Sequence, residues 1–207
     1  MRIYGILVMF FALYLNADMS YFERDVNTTQ LEQCKAFFTQ KNDLTIVHLQ
    51  NGQTLALQDE YVNSDPKFKT LLYTLKGCFA KEKYLIYSDF MPDMESYYAI
   101  DLRDGKETPL SGMPYLSPSR TFFVTEAEAS HRISVYTFGD ERILKVFSHR
   151  YPDQCVTQNT VWLDDQTIRF ELECDEMFDT DTNTTKAGAK ESLKLIYKDG
   201  KWEITQP

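Results

Sequence analysis

Cys155-Val156-Thr157-Gln158-Asn159-Thr160-Val161-Trp162-Leu163-Asp164-Asp165-Gln166-Thr167-Ile168-Arg169-Phe170-Glu171-Leu172-Glu173-Cys174 reads as two strands joined by a turn. Apolar and polar residues roughly alternate on either side of Asp164-Asp165, which is the period of a half-buried strand. A two-residue turn at Asp164-Asp165 opposes Val161 to Ile168, Asn159 to Phe170, Thr157 to Leu172 and Cys155 to Cys174. The other face then pairs Thr160 with Arg169 and Gln158 with Glu171, a solvated set. Both sulfurs fall on the apolar side, and directly opposed residues lie within reach of a disulfide. One pattern thus predicts the register, the buried face and a Cys155–Cys174 bridge.

The same alternation recurs along the chain. Thr45 to Leu49 and Thr54 to Leu57 flank Asn51-Gly52, a strong hairpin signal because both turn residues tolerate positive φ. Tyr97 to Leu102 leads to Asp104-Gly105, and Leu195 to Tyr197 leads through Asp199-Gly200 to Trp202-Glu203-Ile204. Further strands are expected at Leu71 to Leu75, Tyr84 to Tyr87, Thr121 to Thr125, Ile133 to Phe138 and Ile143 to Phe147. Turn signals this closely spaced favour an antiparallel meander over βαβ units. The expected fold is all-β, a partial propeller-like meander or two-sheet sandwich, with one N-terminal helix. Thr29 is expected to cap that helix, with Glu32 completing a capping box. Leu31, Cys34 and Phe38 then form its core stripe. Cys34 sits where the helix meets the sheet, and Cys78 is the partner left for it.

Residues 1–17 resemble a secretion signal: Arg2 is the basic start, Ile3 to Leu15 is almost unbroken apolar sequence, and Ala17 is the small residue at the cleavage position. No cysteine follows that position, so no lipoprotein anchor is expected, and the apolar run is short for a membrane span. Residues 18–207 are then a single periplasmic or secreted β-rich domain in an oxidising compartment. Removing residues 1–17 takes away one base and no acid, so the net charge moves from -9 to -10. Such a surface argues against nucleic acid or anionic lipid, which need clustered Lys and Arg. The densest basic stretch, Lys67 to Lys83, reads better as a strand with a solvated face.

Three segments together resemble a known group. They are Tyr84-Leu85-Ile86-Tyr87-Ser88-Asp89-Phe90-Met91-Pro92, then Tyr97 to Gly105, then Pro114-Tyr115-Leu116-Ser117-Pro118-Ser119-Arg120-Thr121-Phe122-Phe123. These are similar to uncharacterised secreted bacterial proteins with propeller-blade-like repeats, in which strand hairpins end in D-G or T-G and the next begins at a P-x-x-S-P-D-G turn. Val161 to Phe170 looks like an inner strand, turn and following strand of one blade. This chain has Ser119-Arg120 where Asp-Gly is usual. The resemblance implies fold flavour and bacterial secretion, and carries over no catalytic residue.

Asn27 and Asn183 each stand in an N-x-T acceptor with an acid two residues earlier, which makes them candidate glycosylation sites in polar, exposed segments. Asp179 to Asn183 alternates oxygen ligands as a calcium loop does, but Thr184 and Lys190 stand where the turn glycine and the bidentate Glu belong. No G-x-S-x-G, H-E-x-x-H or phosphate-binding glycine loop is present. His48, His131 and His149 are scattered, and Ser130-His131 and His149 with Asp153 are near only in sequence. No catalytic residue, metal site or cofactor is therefore expected. Tyr84, Tyr87, Tyr97 and Tyr98 are the candidate binding aromatics, to be weighed against cross-strand packing. The reading that fits is a non-catalytic accessory protein engaging another protein. The alternatives are a small periplasmic hydrolase using carboxylates among Asp89, Asp93 and Glu95, and a carbohydrate-binding module using the tyrosines.

Overall fold

The computed structural model describes residues 28–61, 69–91, 94–127, 131–175, 177–179, 184–186 and 188–206. Residues 1–17, Asp93, Asn27 and Asn183 lie outside the described residues. Among the described residues four antiparallel sheets follow one another along the chain beside a separate two-stranded ladder, and none closes on itself. The first has the order β1 (Phe38–Lys41), β2 (Leu44–His48), β3 (Thr54–Gln58). The second runs β4 (Glu60–Tyr61), β5 (Lys69–Phe79), β6 (Tyr84–Met91), β7 (Met94–Asp101), β8 (Glu107–Leu110). The third is ordered β12 (Ile143–Arg150), β11 (Arg132–Phe138), β10 (Phe122–Ala127), β9 (Met113–Leu116). The fourth is β13 (Cys155–Trp162), β14 (Thr167–Cys174), β17 (Ala189–Lys198), β18 (Lys201–Thr205), with a separate ladder of β15 (Met177–Asp179) and β16 (Thr184–Lys186). The fold is all-β, as the alternation and turn spacing require, with a short helix α1 (Thr28–Gln33) at its start.

Three apolar layers join the sheets in series. Val47, Leu49 and Leu57 of the first sheet region meet Leu75, Leu85, Tyr87 and Ile100 of the second. The opposite face of the second sheet, with Phe79, Tyr84, Ile86 and Ala99, meets Phe123, Tyr136 and Ile143 of the third. Val124, Ile133 and Val135 then meet Ile168, Phe170, Leu195 and Trp202 of the fourth. A sheet between two others must be apolar on both faces, which explains why Tyr84 to Ser88 are buried consecutively. Aromatic rings fill the middle layer: Phe123 stacks on Tyr136 at 4.9 Å and packs against Phe79 at 5.7 Å.

Several local expectations are corrected. The helix begins at Thr28, so Thr29 lies inside it and is not its cap. A 3-10 turn, Lys35–Phe37, follows, and Phe38 starts β1 instead of ending the helical stripe. Leu31 and Phe38 still pack on the layer that holds Cys34. Within the Lys67 to Lys83 stretch the solvated face is lost from Leu75 to Phe79, where every residue is buried and Lys76 is 1% exposed. Of the Asn51-Gly52 pair only Gly52 has positive φ, because Leu49 pairs with Gln53 around a loop longer than two residues. At Asp199-Gly200 both residues are left-handed, as a two-residue hairpin turn requires.

The Cys155 hairpin shows how an error near the turn is cancelled further along. Leu163 N–H donates to Thr167 O, and Gln166 N–H to Asp164 Oδ1, so the loop is Asp164-Asp165-Gln166 and not Asp164-Asp165 alone. Val161 therefore opposes Arg169 rather than Ile168. A bulge at Asn159, with φ 55°, absorbs the extra residue and removes the expected Asn159–Phe170 pairing. Beyond it Thr157 opposes Leu172 and Cys155 opposes Cys174. The bulge also reverses which residues face inward, so that both Thr157 and Thr160 are buried. Disulfides join Cys155 to Cys174 and Cys34 to Cys78. The second ties the turn after α1 to β5. Two such bridges suit an oxidising, extracellular compartment. Among the described residues no helix is long and apolar enough to cross a membrane.

Candidate functional site

The four tyrosines singled out from sequence do not form one row. Alternation along β6 and β7 sends Tyr87 and Tyr98 toward the first sheet and Tyr84 and Tyr97 toward the third. Tyr84, Tyr87 and Tyr97 are 2%, 3% and 8% exposed, so their faces are spent on neighbouring side chains. Tyr87 stacks on Tyr98 at 5.1 Å and donates its hydroxyl to Glu107 at 2.9 Å. Burial, reinforced by that carboxylate, pushes the Tyr87 phenol well above its ordinary pKa. This is cross-strand packing, not a surface on which a sugar ring could stack.

The carboxylates of the same region are also separated. Asp89 opposes Ser96, while Glu95 opposes Phe90, so the two acids lie on opposite faces of the second sheet. Asp89 sits beside Tyr98, with its Oδ1 buried and unpartnered among the described residues. Glu95 is 3.0 Å from the buried Lys76 ammonium and accepts from Tyr97 at 2.7 Å. Two acids divided by a sheet cannot share one scissile bond.

Each histidine has a local partner. His48 contacts Thr39 at 2.9 Å, and His131 Nδ1 contacts the Cys155 carbonyl at 2.8 Å. His149 meets the Tyr151 ring edge-on at 4.5 Å, while Asp153 pairs with Arg150 at 2.7 Å instead of with that imidazole. Among the described residues no three His, Cys, Asp or Glu side chains are grouped to hold a metal ion.

A concave feature among the described residues lies elsewhere, between the edge strands of the second and third sheets. A cavity of about 390 Å³ is lined by Lys106, Glu107 and Pro109 from β8 and its approach, and by Arg142, Leu144 and Lys145 from β12 and its approach. That volume falls at the lower end of the range for ligand pockets. Arg103 closes one end. Its guanidinium grips Asp101 with Nε–Oδ1 at 2.8 Å, donates to Tyr84 Oη at 3.0 Å, and reaches the Asp140 carbonyl at 3.0 Å. The turn before β12 is thereby latched to the turn before β8.

A hydroxyl network bounds the other end. Ser111 Oγ lies 3.1 Å from Tyr136 Oη and accepts from Ser134 Oγ at 3.2 Å and Lys145 Nζ at 3.4 Å. Ser134 in turn contacts Ser148 at 3.0 Å. Lys145 also lies over the Tyr136 ring, 5.3 Å from its centroid. Between latch and network, β12 presents a sheet edge that is unpaired among the described residues, with Leu144 40% and Val146 44% exposed. Val146 is the extra residue of a bulge: Val135 opposes Phe147 while Tyr136 opposes Lys145. Sequence reasoning placed a strand here but missed its edge position. The usable signal was composition, since Lys145, His149 and Arg150 in one strand suit an edge and not a centre.

No protein-family model matches the chain, and no curated protein matches it in sequence. Among solved structures it is similar to a putative 6-phosphogluconolactonase from Bacteroides uniformis, with TM-score 0.41 and 9% identity over 82% of this chain and 55% of that one. It is also similar to the N-terminal domain of Nup159, with TM-score 0.36 and 11% identity over 83% of this chain and 47% of that one. The chain thus spans about half the length of the solved structures it matches.

Proposed function

We propose that this chain is a non-catalytic, secreted or periplasmic accessory protein that engages another protein, and that the groove between β8 and β12 is its docking site. The observation that carries this is the placement of two sheet edges, unpaired among the described residues, on either side of one cavity, with Leu144 and Val146 exposed along one of them. Edge strands offer unsatisfied N–H and C=O groups and take up extended segments of other chains. The bulge at Val146 interrupts the edge, so backbone pairing runs along Ile143 to Lys145, next to the cavity. The two disulfides and the signal-like residues 1–17 support a site of action outside the cytoplasm.

The test is capture of partners by tagged mature protein from periplasm, with and without crosslinking, comparing the native chain with Leu144→Asp. Leu144 is exposed, so the substitution leaves the core intact, and circular dichroism checks the fold. A stoichiometric protein captured by the native chain and lost with Leu144→Asp is the expected result. A partner retained equally by both refutes the groove, and recovery of the native chain alone refutes the accessory reading.

A further inference from the structure

We infer that the segment taken up by this groove is an extended, uncharged one that adds as a strand to β12 alone and sends a tyrosine side chain into the cavity; this rests on the docking site just proposed. The first argument is the phase of the backbone. Gly139 N–H donates to Arg142 O at 2.9 Å, which makes that opposed pair a hydrogen-bonded one. Such pairs alternate along an antiparallel ladder. Leu144 therefore bonds across to Thr137, while the peptide groups of Ile143 and Lys145 point away from β11 to the open edge. The neighbouring ladder agrees: Ser117 N–H donates to Phe122 O at 2.9 Å, which turns Phe122 toward β9 and leaves Thr137 for β12.

The β8 edge is built differently. Asp101 N–H donates to Lys106 O at 2.9 Å, so by the same alternation Glu107 and Pro109 are the residues whose peptide groups face outward. Pro109 has no N–H to give, which blunts this edge. A strand entering the groove thus finds two complete donor–acceptor sets on β12, at Ile143 and Lys145, and only one on β8. It pairs with β12.

The second argument is the charge of the cavity wall. The lining holds three acids, Asp101, Glu107 and Glu141, and three bases, Lys106, Arg142 and Lys145. A lone charge of either sign meets its like there, and gives up hydration for no net attraction. A neutral side chain with a polar tip avoids that cost and can hydrogen-bond to either kind of wall. Ile143 packs toward the second sheet, and Lys145 lies over Tyr136 on the same face. The residues opposed to these two in an added strand therefore point into the cavity, while the residue opposed to Leu144 lies on the other face beside an exposed apolar side chain. A space of about 390 Å³, walled in part by Ile143, Tyr84 and Pro109, takes an aromatic ring, and a tyrosine hydroxyl both donates and accepts.

The experiment titrates short labelled peptides into the native mature protein, followed by fluorescence anisotropy at low and physiological salt. Each has a central valine between two identical residues, which are tyrosine, threonine, aspartate or lysine, with serine flanks. The tyrosine peptide is expected to bind about tenfold or more tightly than the other three and to change little with salt. N-methylation of both its tyrosines, whose N–H groups donate to β12, should weaken it by about tenfold or more, and N-methylation of the valine far less. Lys145→Pro, which removes an outward donor and no ladder bond, should abolish binding, while Lys145→Thr keeps it; circular dichroism checks both folds. A charged peptide as tight as the tyrosine one, equal loss from the two N-methylations, or binding unchanged by Lys145→Pro overturns the inference. An equally tight threonine peptide also overturns it, since strand addition then needs no aromatic. Equal binding of N-acetyltyrosine amide overturns it in favour of a small aromatic ligand, and so does failure of every peptide. The docking site is judged separately, by the partner captured with the native chain and lost with Leu144→Asp.

Discussion

Arg120 is a non-glycine residue with left-handed backbone, at φ 63°. The turn is closed by Arg120 N–H on the Ser117 carbonyl at 2.9 Å, and Ser117 Oγ accepts from Phe122 N–H at 3.2 Å. Left-handed backbone costs a non-glycine residue about 1–2 kcal/mol. Glycine would remove that strain but would lose about 0.5–1 kcal/mol through its freer unfolded chain. The net relief for Arg120→Gly is therefore about 0.5–1 kcal/mol. Against it stands a bidentate pair from Arg120 to Glu82, with Nε–Oε1 at 2.8 Å and Nη2–Oε2 at 2.5 Å. That pair joins the turn before β10 to the turn before β6. Glu82 is 10% exposed and Arg120 35%, so after discounting for solvent screening the pair contributes about 2 kcal/mol.

The two effects predict a change of sign. Arg120→Gly should destabilise the native chain by about 1 kcal/mol, yet stabilise the Glu82→Ala chain by about 0.5–1 kcal/mol. The assay is urea unfolding of the four chains in oxidising buffer, followed by the fluorescence of Trp162 and Trp202. The reasoning also fixes the pH dependence. Burial would raise the Glu82 pKa, but hydrogen bonds from Arg120 and from backbone outweigh it and hold the carboxyl below its ordinary value. A depressed folded pKa gives stability that is present above the unfolded carboxylate range and is lost as pH falls through the folded value. The coupling between Arg120 and Glu82 should thus be full above about pH 5 and fade in stronger acid. A coupling below about 0.5 kcal/mol at neutral pH, or a stabilising Arg120→Gly in the native chain, would refute the account.

Three further outcomes are expected. Gly105→Ala should destabilise by about 2 kcal/mol or more in urea unfolding, because φ is 82° and a Cβ would lie 2.7 Å from Leu49 Cδ1; a change under 0.5 kcal/mol would show that this seam yields. Replacing both Cys155 and Cys174 by Ala should cost about 3 kcal/mol, given their separation of 19 residues, and a midpoint unchanged in non-reducing urea would contradict it. In a spectrophotometric titration Tyr87 and Tyr151, the latter pushed up to about 12 by burial, should stay neutral when exposed phenols ionise; their raised folded values mean stability is lost as pH climbs above about 10, and early ionisation of both would count against their burial.

What the sequence made legible was set by the range of the physics involved. Alternation is local, so β6, β11, β13 and β14 could be read directly from their residues. The Cys155–Cys174 register could be read because many residues vote on it together, and a bulge at Asn159 restored the vote after the turn had been misjudged. Lys76 could not be read this way. A lysine within an apolar run looks solvated until Glu95 and Tyr97 are brought over it from a strand two places away. The groove was hidden for the same reason. Its walls, β8 and β12, are separated by three other strands in the chain, and no local pattern says that both end up as neighbouring edges.

An open series of sheets must finish its end faces, and the way it does so limits where a partner can bind. On the outward face of the fourth sheet Lys190 lies 3.1 Å from Glu171 and 3.5 Å from Glu173, Asn159 donates to Glu171 at 2.6 Å, and Gln158 donates to Glu173. A mutually paired charged ladder of this kind is solvated, and covering it would cost more desolvation than its contacts return. On the first sheet the outward Thr39 and His48 likewise satisfy each other. The interior faces are committed to the three apolar layers. Sheet edges are what remain, and the β12 edge combines exposed apolar side chains with a neighbouring cavity. Binding at that edge therefore asks the fold to give up no interaction it already makes, whereas binding on either end face would.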